Sequence, residues 1–447
     1  MSLRTNSRAN WGTKLGFILA ASGSAVGLGN IWKFPYITGV YGGSAFVLVY
    51  LGCILIVGLP IMIAELIIGH KSQKDPVGGF AVLHKKKSPW MFAGVIGVAA
   101  AFLILSFYSV VAGWSMAYIL KSVIGFSGSA KEIVAQFKTL KGDPLMSIMW
   151  HTIFMGLTIG IVIRGVQKGI EKWSKILMPG LALILLGLSF YGFFFTSGGV
   201  KALEFLFKPD FSKLSSEGVL SALGHAFFTL SLGMGAMITY GSYLKKDVNI
   251  AKSALIISLL DTVIALLAGI AIFSIVFEYG GKATAGPGLI FETLPVLFKE
   301  MGQFISVPFF LLLTFAALTS AISLLEVVVA YFIDEKKWSR VKASLLIGGS
   351  IYLIGLLSAI DKLKIPFMGK EQSFFDIFDF ITTNYMLPIA GLLTSLFVAW
   401  IIKEKIRVEG FNSMQKVGIL YLFWKYTLRY LTPIAVMIII LHGFNII

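Results

Sequence analysis

The chain has a single cysteine, Cys53, and it lies in an apolar run. An intrachain disulfide is therefore impossible, which excludes the stapling that holds small secreted domains together. Asn-x-Ser/Thr triplets are missing as well, which argues against a glycosylated eukaryotic surface protein. Charge is scarce: Asp, Glu, Lys and Arg make up 13% of the 447 residues, against 57% hydrophobic. So little polar side chain cannot coat a soluble core of this length, and lipid is the solvent for most of the surface. The common signatures of catalysis are absent too. There is no His-Glu-x-x-His, no cysteine pair and no Gly-x-Ser-x-Gly, and the Gly42-Gly43-Ser44 run has no partner base, so an enzyme is not expected.

What is present points the same way. The formal net charge is +16 and the mean hydropathy +0.86. The basic residues sit in short segments between apolar runs, not in one stripe with interleaved aromatics, so no nucleic-acid partner is expected. Arg4, Arg8 and Lys14 precede an apolar run as in a signal peptide. Asn30, Lys33 and Pro35 follow without a small-residue cleavage pattern, so the segment is expected to be retained. Apolar runs long enough to span a bilayer start near Leu15, Ala45, Pro89, Ser147, Trp173, Val219, Ile250, Phe304, Ser344, Phe375 and Tyr430. An all-α polytopic membrane protein of about eleven helices is predicted. Residues 70–88, 164–175, 245–252, 336–342 and 403–416 are rich in lysine and arginine. A cytoplasmic N-terminus puts all five segments inside, as the positive-inside rule requires, and an odd number of spans then puts the C-terminus outside.

Two spans share a feature. The first reads Ala-Val-Gly-Leu-Gly-Asn over 25–30, and the sixth reads Leu-Ser-Leu-Gly-Met-Gly-Ala over 230–236. One Gly-x-Gly alone is equally well read as close helix packing. A pair at matching depths, an odd number of spans apart, points to an inverted repeat whose two broken helices line a central site. Ser22 and Ser24 precede the first break, and Thr229 and Ser231 flank the start of the second. Hydroxyls beside freed carbonyls make an oxygen-rich pocket, which hard cations prefer.

These residues carry a resemblance. Gly-Leu-Gly-Asn-Ile-Trp-Lys-Phe-Pro (27–35), the run 226–240 and Ala-Ala-Leu-Thr-Ser (316–320) closely resemble the first, sixth and eighth helices of the neurotransmitter:sodium symporter family. Gly169 and Pro179 look like its fifth-helix unwinding motif. The resemblance covers nearly the whole chain and is nearest to the bacterial hydrophobic amino-acid transporters. It implies one transporter domain over 1–447, with a five-helix repeat (14–196), an inverted second repeat (217–402) and an additional helix (414–447). The location implied is the bacterial cytoplasmic membrane; the partners are lipid and a small amino acid, with oligomeric state open.

The resemblance also implies the site. One sodium ion would be held by carbonyls of Ala25 and Thr229, side chains of Asn30 and Thr229, Asp261 and the substrate carboxylate. A second would be held by carbonyls of Gly23, Val26 and Ala316 and hydroxyls of Thr319 and Ser320; read alone, these two hydroxyls bond the preceding turn of their own helix. The substrate would meet Ser24, Ala25, Gly27, Gly29, Tyr108 and Thr229. Its side chain would lie among Ile104, Phe228, Ser231, Met234, Ser320 and Leu324, an apolar set that suits aromatic or large aliphatic side chains. Relatives that carry monoamines have an aspartate at Gly27, so here the substrate must bring its own carboxylate. Family members commonly have asparagine at Asp261 with either an acid one turn later or a bound chloride. Ala265 and His225 depart from that pattern, and chloride-independent transport is expected. Lys33 and Asp379 would form the outer gate under which Phe228 is the lid, with Arg8 and Asp334 forming the inner one. Glu65 resembles the acid that bonds the sixth-helix break. Proton coupling through Asp261 or Glu65, and a channel or receptor built on the same frame, remain as alternatives; Glu326 has no role in this reading.

Overall fold

The computed structural model describes residues 9–245, 248–280, 288–411 and 417–443. Among them nine helices are long and apolar enough to cross a membrane. They are Ser44–Ser72, Met91–Ile124, Pro144–Val162, Val166–Phe195, Ile250–Glu278, Gln303–Lys336, Arg340–Ala359, Phe374–Ile401 and Ile419–Gly443. A tenth span is the pair Lys14–Ala25 and Gly29–Val40, bent by 47° at the break. The remaining expected span is built from Ser216–Thr229 and Ala236–Gly241, with residues 230–235 unwound between them. Numbered in chain order these give eleven helices, the broken pairs being the first and the sixth. The last begins at Ile419, inside the 414–447 segment given to the additional helix, because the amphipathic stretch 419–426 is itself helical and runs on into the apolar part.

Capping residues set the starts. Thr13 accepts from Gly16 N–H, Asn249 from Lys252 and Ser339 from Lys342, while Asp143 caps a helix that opens with Pro144. The eighth helix, Gln303–Lys336, is the centre post: 94% of its apolar window is buried, and it packs along the third. The fourth, fifth, ninth and eleventh are the least buried and form the lipid-facing perimeter. Both halves of the sixth helix lie on the second, and the inner half of the first lies between the seventh and eighth. Short helices at Ala130–Gly142 and Gly198–Phe207 and a hairpin pairing Lys364–Phe367 with Lys370–Ser373 join the spans. The fifth helix stays helical through Gly169 and Pro179; a Cβ at Gly169 would stand 2.1 Å from the Ile161 carbonyl.

The two breaks differ in cause. In the first, Val26 turns to an extended backbone (φ −72°, ψ 101°) and the helix resumes at Gly29. In the second, Ser231, Gly233 and Gly235 all take positive φ (53°, 74° and 76°). Glycine is needed at 233 for a further reason: a Cβ would sit 2.3 Å from the Leu387 carbonyl of the tenth helix. Its freed N–H donates to Glu65 Oε1 at 2.7 Å, at the break where the resemblance places that acid.

Candidate substrate and ion site

Unwinding frees backbone groups that lipid cannot satisfy, so their partners mark where polar chemistry collects. At the first break Gly27 N–H donates to Asn30 Oδ1 (3.1 Å), and Asn30 Nδ2 donates to the Asp261 carbonyl (3.0 Å) and to Asp261 Oδ1 (2.8 Å). Thr229, the last helical residue before the second break, donates through Oγ1 to both Asp261 oxygens at 3.1 and 3.2 Å. Tyr50 O–H stands 3.5 Å from Oδ2. Asp261 is wholly buried, and among the described residues its partners are neutral. One turn on, Ala265 is equally buried and carries no charge. His225 is wedged against the Phe34 and Tyr50 rings, and among the described residues neither nitrogen has a hydrogen-bond partner.

This constellation suits a monovalent hard cation. Every candidate donor is oxygen, and one carboxylate supplies the charge. Among the described residues no three His, Cys, Asp or Glu side chains converge in a way that could hold a metal ion. A buried carboxylate surrounded by neutral donors is costly unless a cation shares the site.

The second expected ion cluster lies between the first and eighth helices. Ser320 Oγ stands within 3.1–3.4 Å of the carbonyls of Gly23, Ser24 and Val26. Thr319 instead bonds its own helix, donating to Phe315 and Ala316 carbonyls at 3.1 and 3.0 Å. The structure thus brings Ser320 onto the break, while the Thr319 hydroxyl takes the intrahelical geometry that the bare sequence favours.

Around the substrate positions, Leu28 N–H donates to Tyr108 Oη at 3.1 Å. Gly27 lies so close that a Cβ would meet Ser320 Oγ at 2.5 Å and Tyr108 Oη at 2.9 Å, and the Phe228 ring covers Gly29. Gly27 is therefore bounded by two hydroxyls, and a side chain there would displace both. A cavity of about 180 Å3 opens from Leu28, Gly29, Tyr108 and Phe228 toward Lys33, Asp376 and Asp379. Ile104, Met234 and Leu324 are buried but do not line it. The two breaks close on each other beneath: Ser231 Oγ donates to the Ser24 carbonyl (2.7 Å), and Ser24 Oγ to Ser323 Oγ (2.7 Å).

The description of the sodium:neurotransmitter symporter family matches residues 8–127 and 141–446. The chain belongs to that family. It is 40% identical to the sodium-dependent transporter YhdH of Bacillus subtilis, over 97% of each chain. A sodium-dependent transporter of Haemophilus influenzae is 31% identical over 99% of this chain and 100% of its own. The crystal structure of MhsT in complex with L-phenylalanine superposes with a TM-score of 0.90 at 43% identity, covering 98% of this chain and 100% of that one. The protein is a sodium-dependent transporter of this symporter family, integral to a membrane, and not an enzyme.

Lys33 and Asp379 share two cavity walls but make no ion pair. Lys33 Nζ rests 4.8 Å over the Phe228 ring, and Asp379 accepts from Thr383 Oγ1 at 3.2 Å. A lysine head is a compact charge on a flexible stem, so an aromatic face can compete with the carboxylate for it. Arg8 lies outside the described residues. Asp334 accepts from the Asp75 N–H at 2.9 Å, and burial beside Asp334 and Glu335 pushes the Asp75 carboxyl up to about 7.

Sequence reasoning missed a buried charge pair near Asp334 and Tyr243. Glu326, fully buried, takes a two-pronged bond from Arg340 (2.7 and 2.9 Å) and a third from Tyr243 O–H (2.6 Å). Trp11 Nε1 donates to the Tyr240 carbonyl beside it. Glu171 is a second omission: it accepts from Gly12 N–H, Thr13 Oγ1 and Lys175 and so anchors the start of the first helix. A buried acid in a spanning helix was the available signal for Glu326.

Proposed function

We propose that the chain imports hydrophobic L-amino acids, aromatic or large aliphatic, together with sodium and without a need for chloride. The observation that carries this reading is Asp261: a buried carboxylate held by neutral groups from both broken helices, with uncharged Ala265 one turn away. The protein then supplies its own negative charge at the ion, where relatives of other design borrow an anion. Two sodium ions are proposed. One is shared by Ala25, Asn30, Thr229, Asp261 and the substrate carboxylate; the other lies among Gly23, Val26, Ala316, Thr319 and Ser320. For the second, the Thr319 hydroxyl keeps a lone pair available while its proton bonds the preceding turn.

The substrate carboxylate is assigned to Tyr108 Oη and the N–H groups at the first break, near the positive end of the outer half-helix. Ile104, Phe228, Ser231, Met234, Ser320 and Leu324 supply the side-chain pocket, and methionine's flexibility supports a broad range. The MhsT complex with L-phenylalanine supports the same class. Two inverted five-helix repeats, 14–196 and 217–402, and the helix in 414–447 complete the reading, with the N-terminus cytoplasmic.

Uptake of labelled phenylalanine and leucine into proteoliposomes tests it. An inward sodium gradient should drive uptake equally in chloride and gluconate, and Asp261→Asn should abolish it or make it anion-dependent. Chloride stimulation of the intact protein, uptake confined to glycine or alanine, or uptake driven by a proton gradient at equal sodium would each overturn it.

A further inference from the structure

Arg429 lies in the eleventh helix, at the junction of its amphipathic and apolar parts. Its Nε is buried and has no hydrogen-bond partner among the described residues. Glu404, the acid that follows the end of the tenth helix, is already shared by Arg407, Tyr421 and Lys425. The Arg429 guanidinium instead stacks on Trp400 of the tenth helix, 3.6 Å from the ring centroid, with Tyr430 at 5.8 Å. Lys425 and Tyr426 recur one helical turn before Arg429 and Tyr430, so all four share one face. Trp400, Tyr426 and Tyr430 are each about half exposed, and Leu431 and Ile434 continue the exposed surface in the apolar direction. Lys403 and Lys405, both exposed, follow Trp400 in the chain.

An unpaired guanidinium in a spanning helix is expensive, and stacking on an indole offsets only part of that cost. Its fork suits a carboxylate or a phosphate that accepts two parallel hydrogen bonds, and the nearby carboxylate, Glu404, is already engaged, which leaves phosphate. Tryptophan and tyrosine at this depth belong to the headgroup layer, and the exposed leucine and isoleucine next to them suit acyl chain. We propose that Arg429, supported on Trp400, binds the phosphate of an anionic phospholipid headgroup, so that a lipid is held at the seam between the tenth and eleventh helices.

Native mass spectrometry of the full chain tests this, with phosphatidylglycerol, phosphatidylcholine and inorganic phosphate as probes. The intact protein should retain phosphatidylglycerol in preference to phosphatidylcholine. Arg429→Gln should weaken that retention about fivefold, and Arg429→Lys less. Should Arg429→Gln fail to fold, Trp400→Leu removes the supporting ring and should weaken retention in the same direction. Equal retention of phosphatidylglycerol by the intact protein and the variant, or its displacement by millimolar inorganic phosphate, would overturn the proposal.

Discussion

Lys33 and Asp379 stand on the wall of a cavity of about 180 Å3 without touching, while Glu326 and Arg340 hold each other in two bonds of 2.7 and 2.9 Å beneath Tyr243. They lie at opposite ends of one central path, outer and inner if the N-terminus is cytoplasmic as proposed. Their residue types are similar, yet the outcome is opposite, and burial decides it. Glu326 has lost its water, so any loss of Arg340 leaves a bare charge in a dry place. Lys33 and Asp379 keep contact with cavity space, where an ion pair gains little over hydration, and a phenyl face or a threonine hydroxyl is an adequate substitute. The inner end is therefore costly to open, and the outer end is cheap to leave open.

Arg340→Ala attacks the difference where it is largest. It should cost about 3–5 kcal/mol, read as a large fall in thermal unfolding temperature in detergent, and it should expose the Tyr243 region to water-soluble reagents. A change no larger than that of a surface lysine would remove the asymmetry argued here. Asp75→Asn probes the same end more gently. The folded carboxyl sits near 7, above its usual value of 3.8, so folding favours the protonated form. Stability from this group is fully present below about pH 4 and is lost as pH rises through 7. The variant keeps the cap acceptor for Val77 and Gly78. It should gain about 1 kcal/mol at pH 8 and nothing at pH 4; a gain that grows as pH falls would contradict the assignment. Lys33→Arg sharpens the outer end. A planar fork can reach Asp379 in two bonds, and substrate dissociation should slow a few-fold at a stability cost below about 1 kcal/mol. Asp379→Asn should change melting least of all, by less than about 0.5 kcal/mol, while unaltered substrate exchange would take Asp379 out of the gate.

Much of the frame was legible because lipid forces it. Apolar runs gave the order of the helices, and paired Gly-x-Gly runs gave the breaks, since a backbone freed at mid-membrane needs both small residues and polar neighbours. Asn30, Thr229 and Asp261 meet as the resemblance implied. Glu65 was likewise matched to the sixth-helix break. What escaped was pairing across distance. Nothing in the residues around Glu326 announces Arg340, which lies beyond the turn into the ninth helix, or Tyr243, which comes from the sixth. Lys33 and Asp379 were legible as facing charges, but the contact each makes was not, because the choice between a carboxylate and the Phe228 ring depends on local water, which no sequence pattern records.

The Ser231 hydroxyl bonded to the Ser24 carbonyl spans 207 positions of chain. A ribosome delivers the first helix long before the sixth, and Ser320, which also reaches that carbonyl, arrives later still. In the interval the Ser24 carbonyl has neither of these donors, and hydrocarbon offers none. The nascent first helix must therefore enter the bilayer as an ordinary continuous rod, or wait at the membrane surface. It acquires its bend only once the second half of the chain has been translated. The transport site is thus a late product of biogenesis, and a chain truncated before residue 231 would carry the first motif without ever forming the break.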